Sequence, residues 1–100
     1  MAINNAQGTK VIDASMVPIG YQQITSLSAA ATLTVPDGAI LALIQPETQN
    51  VRWRDDGTSP TASVGINLFV GDTLSYTGNM LAIKFIEVAA SAKLNITYYR

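Results

Sequence analysis

Val51-Arg52-Trp53-Arg54-Asp55-Asp56-Gly57 reads as a β-strand running into a turn. Val51 and Trp53 alternate with Arg52 and Arg54, the two-residue period that gives a strand one apolar and one charged face. Asp55-Asp56-Gly57 ends the strand, because Asp side chains bond to nearby backbone N–H groups and Gly accepts a positive φ.

The same grammar continues on both sides. Downstream, residues 64–70 set Val64, Ile66, Leu68 and Val70 against Gly65, Asn67 and Phe69, and Gly71-Asp72 turns the chain. Residues 73–77 place Leu74 and Tyr76 on one face, and Gly78-Asn79 follows as a turn. Residues 80–88 send Leu81, Ile83 and Phe85 one way and Lys84 the other. Residues 93–99 set Leu94, Ile96 and Tyr98 against Asn95, Thr97 and Tyr99, so one terminal Tyr anchors the core and the other faces out. Upstream, residues 39–45 are almost wholly apolar and fit a strand buried on both faces, with Pro46-Glu47 as its turn. Residues 30–35 alternate Leu33 and Val35 with Thr32 and Thr34, residues 21–27 also alternate, and residues 10–13 form a further short candidate strand. Pro36-Asp37-Gly38 is a turn with Pro at its first central position. The best helical candidate, residues 24–33, is interrupted by Thr and Ser.

About eight short strands separated by Gly, Pro, Asp and Asn predict an all-β fold. The expected architecture is a single-domain antiparallel β-sandwich, jelly-roll-like, since a double-sheet roll of that strand number protects its edges. Residues 1–9 are polar and read as an N-terminal arm or edge segment, with the sandwich over 10–100.

Composition narrows the function classes. The chain has 100 residues, 48% of them hydrophobic and 13% charged. A usual charged fraction is about 25%, so part of this surface is expected to meet protein, and a homo-oligomer is a natural arrangement. Net charge is −1 and no basic cluster occurs, which argues against nucleic-acid binding through phosphate neutralisation. Cys and His are absent, removing thiolate chemistry, the commonest general base and the commonest metal ligand. The longest nearly apolar run, residues 38–44, falls far short of the ~20 residues of a membrane helix. No secretory signal is recognised at the start, so synthesis in a cytoplasm is expected and no membrane partner is.

Three candidate sites follow from side-chain direction. Arg52 and Arg54 project from one face ~6.5 Å apart. They suit bidentate contacts to carboxylates of a partner, or local pairing with Asp55 or Glu87. Trp53 belongs with Val51 on the inward face, the alternative being an exposed ring that stacks on a sugar. Asp55 and Asp56 are adjacent, so in an extended chain they diverge and do not converge on one ion or one substrate atom. A Ser nucleophile would need Lys10, Lys84 or Lys93 as its base, and no supporting motif occurs. The expectation is a protein that is not an enzyme, with no catalytic residues, no cofactor and no metal.

The blocks R-W-R-D-D-G-T-S-P-T-A-S-V-G-I-N-L, G-D-T-L-S-Y-T-G-N-M-L-A-I-K-F-I and A-K-L-N-I-T-Y-Y, spanning residues 52–99, resemble small structural proteins of tailed bacteriophages and prophages. That resemblance implies a virion component, made in the host cytoplasm, in the manner of jelly-roll decoration or cement proteins that clamp neighbouring capsid subunits. It implies the major capsid protein or another virion protein as partner. Arg52, Arg54, Tyr99 and the arm, with Ala2, Ile3, Asn4 and Lys10, are then the expected contacts. A tail, head–tail or fibre component and a carbohydrate-binding β-sandwich module are the competing readings.

Overall fold

The computed structural model describes residues 15–100; the arm expected over 1–9, with Ala2, Ile3 and Asn4, lies outside the described residues, as do Lys10 and the short strand expected over 10–13. The described residues form eight strands. They are β1 (Pro18–Ile24), β2 (Ala31–Thr32), β3 (Leu41–Glu47), β4 (Val51–Arg54), β5 (Ile66–Leu68), β6 (Leu74–Tyr76), β7 (Lys84–Glu87) and β8 (Lys93–Tyr99). One sheet has the order β1-β8-β3-β6 and the other β2-β7-β4-β5.

The pairing is nested. β1 pairs with β8, β2 with β7, β3 with β6 and β4 with β5, all antiparallel. Rolling this long hairpin brings β8 against β3 and β7 against β4 as well. The result is the two-sheet order of an eight-stranded jelly roll, in which β1 and β6 edge one sheet and β2 and β5 the other.

Alternation places the core between the sheets. Ala42 and Ile44 of β3, and Leu94, Ile96 and Tyr98 of β8, are fully buried from one side, with Val51 of β4 and Phe85 of β7 from the other. Each large apolar side chain removed from water contributes roughly 1.5–3 kcal/mol.

Three local expectations change. Pro46 does not turn the chain but lies inside β3, opposite Leu94 of β8. It is tolerated because β6 pairs only with residues 42–44, leaving no ladder partner on that side for a missing N–H. The strand expected over 80–88 shrinks to β7, since Asn79 caps a turn: its side chain accepts from Leu81 N at 3.1 Å and its carbonyl from Ala82 N at 3.0 Å. That turn throws Leu81 outward to 77% exposure while Met80 and Ile83 stay buried. Residues 64–70 yield only the three-residue β5, of which Leu68 alone is buried and Val64, Ile66 and Val70 are about half exposed.

Two polar latches close the long sides of the sandwich. On one side Tyr98 Oη donates to Gln22 Oε1 at 2.8 Å, and Gln22 Oε1 also accepts from Thr34 N at 3.0 Å, tying β1 to the segment after β2. On the other, Tyr76 Oη of β6 donates to Asp55 Oδ2 just past β4.

Candidate functional site

β4 and the loop after it form the site singled out by sequence. Arg52 faces away from the core, opposite Asn67 of β5. Its Nε donates to Ala62 O at 3.1 Å and its Nη1 to Gly65 O at 2.9 Å. The planar fork holds two carbonyls of one loop, a job suited to Arg geometry. Gly65 has φ +139°, and a Cβ there would stand 3.2 Å from the Trp53 carbonyl, the Arg52 Cβ and the Pro60 Cβ. Only Gly lets the loop press this closely on β4. A tight reversal precedes it, with Thr61 N donating to Val64 O at 2.9 Å.

Arg54 makes a bidentate pair with Asp56, Nε to Oδ1 at 3.0 Å and Nη2 to Oδ2 at 2.5 Å. The bond to the guanidinium holds the Asp56 carboxyl below its ordinary range, and the same bond raises Arg54. Both arginines therefore have partners within the chain, and Arg54 takes neither Asp55 nor Glu87 but Asp56. Asp55 and Asp56 diverge as adjacency requires, Asp55 to Tyr76 and Asp56 to Arg54.

Trp53 shares the inward face of β4 with Val51, yet only Val51 is fully buried. The indole meets Tyr76 edge-on, with ring centroids 6.0 Å apart and planes at 70°. Its other flank lines an open cleft of about 510 Å³, walled by Val64 and Ile66, with Arg54, Asp55 and Asp56 at its rim. Sequence reasoning missed this cleft because alternation predicts direction and not cover. β5 is an edge strand, so nothing described in the chain lies beyond Ile66.

Tyr99 is half-buried on the outer face of the first sheet, opposite Leu41 of β3 and away from the cleft. The structure thus separates Tyr99 from Arg52 and Arg54. Tyr98 takes the core position, and burial pushes its hydroxyl up to about 12. Burial first, and the bond to Asp55 second, raise Tyr76 in the same direction.

No family model matches the chain, and no curated protein and no solved structure matches it.

Proposed function

We propose that this chain is a structural component of a tailed-phage virion, a decoration protein that binds across seams of the capsid shell and stabilises it as a homo-oligomer. The observation that carries the reading is the outer edge of β5, which no described strand pairs, with its half-exposed apolar flanks. Val64 is 52% and Ile66 57% exposed beside the Trp53 cleft, and Phe69 and Val70, about half exposed, follow just past the end of β5. Low charge over the chain and the resemblance across residues 52–99 support the same reading.

The mechanism is additive. Each copy buries apolar surface against a capsid subunit, and shell symmetry multiplies that contribution. The contact surface centres on Val64, Ile66 and the cleft. Arg52 and Arg54 support it from within the chain by fixing the loop that carries Val64.

The test is a phage deleted for this gene. Its particles should form but lose heat and pressure resistance, and added protein should restore it. The Ile66→Asp protein should fail to rebind. Particles of unchanged resistance, or Ile66→Asp protein that binds normally, would overturn the proposal.

A further inference from the structure

The outer face of the β1-β8-β3-β6 sheet carries a second surface, remote from the Trp53 cleft. In register across the sheet stand Tyr21, Thr97 and Leu43 in one row and Gln23, Asn95 and Gln45 in the next. These side chains, with Glu47 and Thr73, line a depression of about 480 Å³.

Its polar groups are pre-ordered. Tyr21 Oη donates to Asn95 Oδ1 at 2.7 Å, and Gln23 Nε2 donates to the same oxygen at 2.9 Å. Asn95 Nδ2 in turn donates to Glu47 Oε1 at 3.0 Å. Four side chains from three strands thus form one connected network, and the orientation of the central amide is set by its three bonds. Tyr21 is 63% exposed although its hydroxyl is tethered, so an exposed ring held at its far end lines the depression.

We propose that this face binds a neutral saccharide. The argument is complementarity of charge and hydrogen bonding. Among the described residues the lining of the depression has one carboxylate and no cation, Lys93 standing one row away across from Glu47, which disfavours phosphorylated, sulfated or sialylated ligands. It contains five amide or hydroxyl side chains besides the Tyr, which offer both donors and acceptors as sugar hydroxyls do. A tethered, exposed aromatic ring beside them offers an apolar surface to the C–H face of a pyranose. The volume lies within the range of small-molecule sites. A protein partner would favour an apolar centre, and the depression's lining holds no aliphatic side chain apart from Leu43. The site is independent of capsid binding and lies on the sheet that does not contain β5, so both can be occupied together.

The test uses the free protein and NMR of its side-chain amides. Cellohexaose, maltohexaose, chitohexaose and mannohexaose are titrated separately, with a sialylated trisaccharide as the anionic control. At least one neutral hexaose should shift the amide signals of Gln23, Gln45 and Asn95 and leave the Trp53 indole signal in place. Tyr21→Ala, at an exposed position, should weaken that affinity by about tenfold, the loss of one stacking contact. No shift with any neutral oligosaccharide, shifts confined to Trp53, or equal affinity in Tyr21→Ala would overturn the proposal.

Discussion

Tyr76 and Asp55 join the two sheets: the Tyr76 hydroxyl on edge strand β6 donates to Asp55 Oδ2, just beyond β4, at 2.6 Å. The same Tyr ring packs edge-on to Trp53, so one side chain fixes both a wall of the cleft and the separation of the sheets beside it. Tyr76→Phe keeps the ring and removes the latch. The expected loss is about 1 kcal/mol, at the low end for a charged acceptor because Asp55 is exposed. Denaturant unfolding measures it, and Trp53 fluorescence should shift with it.

Gly78 sits directly under that ring. A Cβ there would stand 2.5 Å from the Tyr76 hydroxyl and 2.7 Å from the carbon bearing it. Gly78→Ala must therefore displace the ring, costing about 2 kcal/mol by overpacking. Its unfolding midpoint should fall below that of Tyr76→Phe; equal midpoints would show that the ring moves aside freely.

Arg52 works inside the monomer. Arg52→Ala releases the carbonyls of Ala62 and Gly65, and the free protein should lose about 1–2 kcal/mol. Limited proteolysis should then cut within residues 55–65. Arg52→Lys should rescue only partly, because an ammonium cannot span both carbonyls with the same fixed fork. A fully stable, protease-resistant Arg52→Ala would leave partner binding as the role of this side chain.

Alkaline pH should open the other latch. The Tyr98 hydroxyl is raised to about 12 by burial, against ~10 in an unfolded chain. The folded state therefore holds its proton more tightly, and the stabilisation is complete below pH ~10 and lost as pH rises towards 12. The loss is on the order of 2 kcal/mol from Tyr98, and the raised Tyr76 acts in the same direction. Unfolding midpoints across that window should fall for the wild type and fall less for Tyr98→Phe.

Strands with a covered face were legible in the sequence. Leu94, Ile96 and Tyr98 alternate inward along all of β8, because one covered face leaves a two-residue pattern, and the short apolar run of residues 39–45 locates most of β3. Alternation misled where cover is absent. Val64 and Ile66 have the spacing of a buried face but lie just before and on the edge strand β5, where no described strand covers them. Leu81 fits the same pattern and is turned outward by the Asn79 cap, a side-chain-to-backbone bond that hydrophobic spacing does not register. The acids of the β4 turn were read correctly as diverging, since adjacency alone decides that. The partners of Arg52 were not legible, because two loop carbonyls ten and thirteen residues away leave no mark on side-chain pattern.

The nested pairing of β1 with β8 has a consequence for biosynthesis. β8 emerges from the ribosome after the other seven described strands, yet it sits inside its sheet, between β1 and β3. Until residue 99 is free, β1 has no neighbour among the described strands and β3 lacks its partner along one whole edge. The first sheet therefore cannot be completed before β8 has emerged, and its formation awaits a closure across almost the whole described chain. Such distant pairing places folding in the range of roughly milliseconds to seconds for sandwich topologies. During that interval the unpaired edges of nascent chains on one polysome are open to each other, so yield in the cell should depend on translation density as well as on the stability of the finished roll.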